Sequence, residues 1–395
     1  MSYFLSPKVL FGKGALEKLG PEVEGRGDKA VLITDKTMAG SCGTIVQTFK
    51  DAGYEVKIWD GADQEPSVDV ALAASKVLLD FKPQWIIGFG GGSAIDTAKA
   101  AWVLYERPDM AGKPVLPKVK LDLRQKARFL SVPTTSGTGA DVTWVAVLTD
   151  KAKHQKKIFA HNDIVPDISV LIPELTAGMP GGLTASTGID VIGHSVDGYT
   201  SRQQTDFSDG LCLQAMKMAF EWLPRAYRDG SDVLAREKMQ NAATIAGLGF
   251  GNSNTGLSHA LAHSAGAVFH IPHGRAVGIA LPYSLAYISS NPALPGAPDP
   301  VERLDTAAGF VGINADSAEE RIQKFTLKIR DLEREIGEPL SLKEAGITEN
   351  QLKEEIDTLV SVAGQDPNMY TTPCRCKEEN LRQLFQDMWA GSFSV

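Results

Sequence analysis

An α/β amino-terminal domain with a parallel sheet, followed by an all-helical carboxy-terminal domain, is the architecture this sequence predicts. Three observations carry it. Short β-branched or apolar runs alternate with helical stretches through the first third of the chain. Strand signals fade from Leu183 onward, where long segments carry helical spacing instead. A chain of 395 residues is also too long for one ordinary core and points to about two domains.

In order, Ala30 to Thr34 (AVLIT) reads as a buried strand and Thr44 to Ala52 as a helix. Glu55 to Trp59 reads as a strand, and Val68 to Leu79 as an amphipathic helix. Trp85 to Phe89 (WIIGF) is another buried strand, followed by a helix from Ser93 to Tyr105. Strands that alternate with helices imply a parallel sheet covered on both faces. Pro173 and the Met179-Pro180-Gly181-Gly182 run mark a boundary, giving domains 1–180 and 181–395. Helical spacing then covers Phe207 to Leu223, Val233 to Ala246 and Ala318 to Ile336. The stretch 291–300 (NPALPGAPDP) has the composition of an exposed connector.

Composition excludes several classes of partner. Net charge is −8, so no basic stripe is expected to meet a nucleic-acid backbone. No apolar run reaches the 18 or so residues of a membrane span, and the first residues lack the pattern of a signal peptide. Four cysteines make no disulfide framework, which suits a reducing cytoplasm. Cys374 and Cys376 form a Cys-x-Cys pair without further ligands beside it.

Residues 88–93 read Gly-Phe-Gly-Gly-Gly-Ser between a strand and a helix. Consecutive glycines let backbone N–H groups approach a pyrophosphate, and the helix N-terminus adds its positive end. Ser93 stands where the usual dinucleotide fingerprint has its third glycine. Ser93 and Asp96 also have the spacing of a capping box, a purely structural alternative. Asp35 follows the AVLIT strand, where a carboxylate can accept from both ribose hydroxyls and repel a 2′-phosphate, favouring NAD over NADP. A turn or N-cap role is the alternative for Asp35. The segment 130–141 (LSVPTTSGTGAD) offers hydroxyl and backbone donors, or is an ordinary turn. Lys157 is a candidate phosphate or loop contact in a polar stretch whose histidines, His154 and His161, read as solvated.

Four of the seven histidines fall between 259 and 273. Asp190 and His194 are four apart in a helical context and share a helix face, as do His259 and His263. Pro272 and Gly274 flank His273 and are expected to set it on a loop beyond the helix, turning back toward it. One Asp and three His suit a divalent cation such as Fe(II) or Zn(II). Buried structural histidines are the alternative, and two separate i,i+4 pairs in a His-poor chain count against it. His270, between Phe269 and Ile271, can pack or line a substrate wall.

Taken together, GGGSAIDTAKA, VPTTSGTGAD, PELTAGMPGGLTASTGIDVIGHSVDGY and GLSHALAHSAGAVFHIPHGRAVGIALP resemble the successive signatures of iron-containing alcohol dehydrogenases. The terminal KVLFGKGALEKLG and KEENLRQLFQDMWAG fit as well. The resemblance implies a Rossmann-like domain and a helical domain, a dehydroquinate-synthase-like fold with catalysis in the cleft between them. It implies NAD, a divalent metal held by Asp190, His194, His259 and His273, and cofactor contacts at Asp35, Gly91, Gly92, Ser93, Thr134, Thr138 and Lys157. His263 matches a non-ligand histidine near the nicotinamide and would move a proton or position substrate. The implied reaction is hydride exchange between an alcohol and NAD, with the metal as Lewis acid. The implied assembly is a homodimer or larger. Asp197 is shorter than the usual Glu, and Arg275 stands where many relatives are uncharged. Arg275 is expected to point into solvent, with contact to a substrate carboxylate as the alternative.

Rival readings are a dehydroquinate-synthase-like lyase, a polyol dehydrogenase and a non-catalytic metal-binding protein. The lyase needs several cations beside the metal, and only Arg275 is found around 190–200 and 259–280.

Overall fold

The computed structural model describes residues 3–63, 65–150 and 155–392. The chain divides into two compact units, one from Leu5 to Gly178 and one from Met179 onward that also takes in Tyr3 and Phe4.

The first unit is built on β1 (Lys8–Leu10), α1 (Ala15–Val23), β2 (Lys29–Ile33), α2 (Gly43–Asp51), β3 (Glu55–Trp59) and α3 (Val68–Phe81). It continues through β4 (Trp85–Gly90), α4 (Gly92–Glu106), β5 (Arg128–Pro133), β6 (Val145–Asp150), β7 (Gln155–Ala160) and β8 (Ile168–Val170). Among the described residues, six strands form one sheet in the order β1-β8-β5-β4-β2-β3, and every pairing is parallel. Alternate residues of a strand face opposite sides, and each side has its own core. Val31, Ile33, Ile86 and Phe129 pack under Leu78 of α3 and Trp102 of α4. Ala30, Leu32, Ile87 and Leu130 pack under Leu19 of α1 and Phe49 of α2. Burial on both faces explains the unbroken apolar runs AVLI and WIIGF.

Strands β6 and β7 form a separate antiparallel hairpin, with Leu148 opposite Lys157. It is tied to α4. The fully buried Lys99 ammonium donates to the carbonyls of Thr143 (2.6 Å) and Val145 (3.0 Å). The Asp96 carboxylate accepts from the Val147 N–H at 2.9 Å. Burial pushes the Lys99 ammonium down to about 8, against the attraction of Asp96 and Asp141. Burial likewise pushes the Asp96 carboxyl up to about 6, against Lys99 and the Val147 bond. The capping-box role for Ser93 and Asp96 is therefore corrected: α4 starts at Gly92, has Gly91 as its N-cap, and carries no side-chain cap. His161 is corrected too. It is buried, not solvated, because Phe159 and Ile164 bury beside it and its Nδ1 accepts the Asp163 N–H at 3.0 Å. His154 lies outside the described residues.

The second unit is helical: α5 (Gly181–Thr200), α6 (Asp206–Arg228), α7 (Val233–Phe250), α8 (Leu257–Phe269) and α9 (His273–Ser289). Then come α10 (Pro300–Phe310), α11 (Ala318–Glu335), α12 (Glu349–Gly364), the single turn α13 (Asn368–Thr371) and α14 (Glu378–Ala390). From Thr184 to its end, every residue of α5 except Thr187 is buried, so this helix is the axis around which the others pack. No described helix is long and apolar enough to cross a membrane.

Candidate metal and nucleotide sites

The helical unit brings four predicted ligands together. Asp190 and His194 lie one turn apart on α5, and His259 is on α8. His273 is the first residue of α9, which corrects the expected loop position: Pro272 caps that helix rather than ending the previous one. Helix α8 stops instead at His270, which takes a left-handed conformation (φ 56°) and is exposed.

The four side chains face a common point. Asp190 Oδ1 is 3.7 Å from His194 Nδ1, 3.7 Å from His259 Nε2 and 3.5 Å from His273 Nε2. All four ligand atoms lie within 4.8 Å of one another. These separations are too long for hydrogen bonds. They approximate the edge of a tetrahedron about a cation with bonds of about 2.0–2.2 Å, which is roughly 3.4 Å. Asp190 Oδ1, His194 Nδ1 and His259 Nε2 are buried without a hydrogen-bond partner among the described residues. Leaving three such atoms unsatisfied is costly, so the chemistry of the donor set fits a divalent cation.

Electrostatics agree with that geometry. Burial alone would raise the Asp190 carboxyl, but His194, His273 and His259 outweigh it and hold the group well below the ordinary range. Burial lowers His194 to about 3, aided by repulsion from His259 and His273 and opposed by Asp190, so its ring is neutral and ready to ligate. Burial also opposes charge on His259, yet its contacts with Asp190 and Asp197 push it up to about 9.

Asp197, from the last turn of α5, organises the start of α8. Its Oδ2 accepts from Gly256 N–H (2.9 Å), Ser258 Oγ (2.7 Å), His259 N–H (3.2 Å) and His259 Nδ1 (2.8 Å). The carboxylate thus satisfies donors at a helix N-terminus and fixes the His259 tautomer that turns Nε2 toward Asp190. The sequence showed Asp197 only as a shortened Glu; its partners are 59 to 62 residues away.

His263, one turn beyond His259 on α8, is not in the ligand group. Its ring stacks on His273 with centroids 5.3 Å apart, and its Nδ1 meets Asp366 Oδ2 at 2.8 Å. Sequence reasoning passed over Asp366, which lies 103 residues away and belongs to no recognisable spacing. Arg275 is also corrected. It does not reach freely into solvent, because its Nε donates to the buried Glu338 at 2.8 Å. Among the described residues the metal-competent group includes neither Cys374 nor Cys376. Burial pushes both thiols up, to about 11 and about 12, away from the thiolate form.

In the first unit, Asp35, the glycine turn and the Thr134–Thr138 loop meet at the carboxyl ends of β2, β4 and β5, where parallel sheets bind ligands. Gly90 has φ 143°, a conformation that side chains resist, and a Cβ there would lie 3.6 Å from Asp35 Oδ2. A Cβ on Gly92 would lie 2.8 Å from Thr138 Oγ1, so only glycine allows the two loops this approach. Thr134 N–H donates to the Gly90 carbonyl at 2.9 Å. Asp35 uses Oδ1 for the N–H groups of Thr37 (2.8 Å) and Met38 (3.1 Å), while no hydrogen bond among the described residues engages Oδ2. Its turn role and a ligand role are therefore compatible. Ser93 stands in the first turn of α4, and Lys157 lies half-buried on β7.

Residues 6–173 match the iron-containing alcohol dehydrogenase family, and residues 184–389 match the Fe-containing alcohol dehydrogenase family, C-terminal. The chain is 34% identical over 396 residues to the NADPH-dependent butanol dehydrogenase of Clostridium saccharobutylicum, covering 99% of each. It is 33% identical over 410 residues to the bifunctional aldehyde-alcohol dehydrogenase AdhE of Escherichia coli strain K12, covering 98% of this chain and 46% of that one. It thus spans under half the length of that relative. The crystal structure of a 1,3-propanediol oxidoreductase matches with a TM-score of 0.90 at 28% identity, over 98% of this chain and all of that one. Sulfoacetaldehyde reductase from Bifidobacterium kashiwanohense, solved with NAD+, matches with a TM-score of 0.83 at 28% identity, over 98% of each.

Proposed function

The chain belongs to the iron-containing alcohol dehydrogenase family, and on that premise we propose that it is an NAD-dependent oxidoreductase interconverting an alcohol and an aldehyde or ketone. The observation that carries the reading is the convergence on one point of buried Asp190, His194 and His259 atoms that lack a hydrogen-bond partner among the described residues, together with His273. These four residues would hold a divalent cation, Fe(II) by family and Zn(II) by the tolerance of the ligand set. Bound at these sites, the cation supplies Lewis acidity toward the substrate oxygen and the nicotinamide supplies the hydride acceptor.

The protein's own residues do the rest. Asp197 orients His259, and Asp35 offers Oδ2 to a ribose. Gly91, Gly92, Ser93, Thr134, Thr138 and Lys157 complete the nucleotide site, and His263 moves the proton. One relative is NADPH-dependent by name. Here the carboxylate of Asp35 disfavours a 2′-phosphate, which supports NAD. Names of the relatives include butanol, propanediol and sulfoacetaldehyde, so small alcohols and diols are the substrates to try. We place the protein in the cytoplasm as a homodimer or larger homo-oligomer.

The test is to strip the protein anaerobically with chelator and follow NADH absorbance with NAD and a panel of primary alcohols and diols. Fe(II) or Zn(II) is then added back. NADH formation restored by metal is the expected result. Bound metal and bound NAD without NADH from any alcohol would overturn the reading.

A further inference from the structure

We propose that Asp366 is a positioning residue for this reaction: it forms a carboxylate–imidazole pair with His263 and leaves His263 Nε2 as the proton-accepting atom. The inference rests on the reading of His263 as the group that moves the proton. The carboxylate is held on both sides. Its Oδ1 accepts the Asn368 N–H at 2.8 Å, and its Oδ2 meets His263 Nδ1 at 2.8 Å. The backbone around it is anchored as well, since its N–H donates to the Ala363 carbonyl (3.1 Å) and its carbonyl accepts from Met369 (3.0 Å). Asn368 is itself fixed, because its Oδ1 accepts from Thr255 Oγ1 at 2.9 Å, next to the start of α8.

A carboxylate oxygen accepts, so the shared hydrogen sits on Nδ1, and in the neutral ring it is then Nε2 that carries the lone pair. The ring lies along the His273 ring, which places it beside the ligand group without joining it. The side-chain exposures divide the work. Asp366 is 10% exposed and rigidly held, whereas His263 is 42% exposed and can pass a proton to water. In alcohol oxidation the O–H bond breaks, its electron pair stays on oxygen, and the proton forms a new bond to Nε2 before moving to solvent. In aldehyde reduction the same atom returns it.

The test uses the metal-loaded wild type, Asp366→Asn, Asp366→Glu and His263→Ala. Each is measured for kcat and KM with NAD and alcohol and for metal content. Ring ¹⁵N shifts of His263 are recorded in wild type and Asp366→Asn. His263→Ala should lower kcat by about 100-fold. Asp366→Asn should lower kcat by about 10-fold or more, with metal content and KM unchanged, because an amide can donate to Nδ1 and turn the tautomer. Asp366→Glu should recover part of the loss. Wild-type spectra should show Nδ1 protonated and Nε2 bare, and Asp366→Asn the reverse. A wild-type kcat and tautomer in Asp366→Asn, with His263→Ala slow, would overturn the pair and leave the role of His263 standing. A wild-type kcat in His263→Ala would overturn the role of His263 and the pair with it. An unprotonated Nδ1 in the wild-type spectrum would overturn the pair without recourse to any variant.

Discussion

Substituting Gly274 by alanine should disable metal binding although no ligand is touched. Gly274 follows His273 in the first turn of α9 and faces α5. A Cβ there would lie 2.7 Å from the Ser186 carbonyl carbon, closer still to its oxygen, and 3.3 Å from Asp190 Cβ. Ordinary contact begins near 3.4 Å and the carbonyl oxygen is the nearest atom, so the two helices must part by more than about 1 Å. The obstacle is backbone, which cannot swing aside as a side chain can. That movement carries His273 away from Asp190, now 3.5 Å apart, whereas a metal site tolerates about 0.2 Å in its bonds. Misplacing a ligand should cost at least the about 10- to 100-fold in affinity seen when only supporting residues are removed. Overpacking should also cost about 1–3 kcal/mol of stability. The assay is competition between apo-protein and a chelator for Zn(II), with thermal unfolding recorded in parallel. Gly309→Ala is the control: no described residue lies within 4 Å of where its Cβ would stand in α10, so it should gain up to about 1 kcal/mol and bind metal normally. Wild-type affinity in Gly274→Ala would refute the argument that close approach of α9 to α5 sets the ligand geometry.

Other perturbations separate other parts of the account. Asp35→Ser keeps a turn-forming side chain but removes the carboxylate, so kcat/KM for NADP relative to NAD should rise by about 10- to 100-fold; an unchanged ratio would remove Asp35 from the ribose site. Metal uptake should release about one proton near pH 7, because His259 is pushed up to about 9 in the metal-free protein and must be neutral to ligate. Calorimetry in buffers of different ionisation enthalpy reads this directly, and the release should fade as pH rises through about 9. The raised carboxyl of Asp96 binds its proton more tightly folded than unfolded. Its contribution to stability is thus full below about 3.8 and lost as pH rises through about 6. Asp96→Asn should flatten the dependence of the thermal midpoint on pH across that window, and an unaltered slope would assign the dependence to other groups.

Much of the α/β half was legible because both faces of its sheet are covered. Glu55–Trp59 was read to the residue, and WIIGF was read one residue short of β4. The hairpin β6–β7 went unseen for the opposite reason. Its strands are half-exposed, with Val147 and Ile158 open while Ala146, Leu148 and Phe159 are buried, and charged residues beside them read as loop. The ligand set was legible because i,i+4 spacing on a helix states proximity outright, as with Asp190 and His194. What holds the ligands was not. Asp197 reaches His259 over 62 residues and Asp366 reaches His263 over 103, and no local periodicity encodes such meetings. Local spacing also misplaced His273, since a Pro-His-Gly run can open a helix as readily as close one.

The all-round burial of α5 governs how a cation would come and go. Asp190 and His194 sit in the middle of a helix whose amides should exchange with solvent only through global opening. His273 begins α9 with its backbone held against α5 by Gly274 but with 42% of its side chain exposed, where rotamer changes are fast. The ligand group therefore has a buried inner pair, Asp190 and His194, and an exposed outer member, His273. Loss of metal would begin by release of His273, on a timescale far shorter than unfolding. The stripped protein would remain folded, with the inner pair already in place for the next ion.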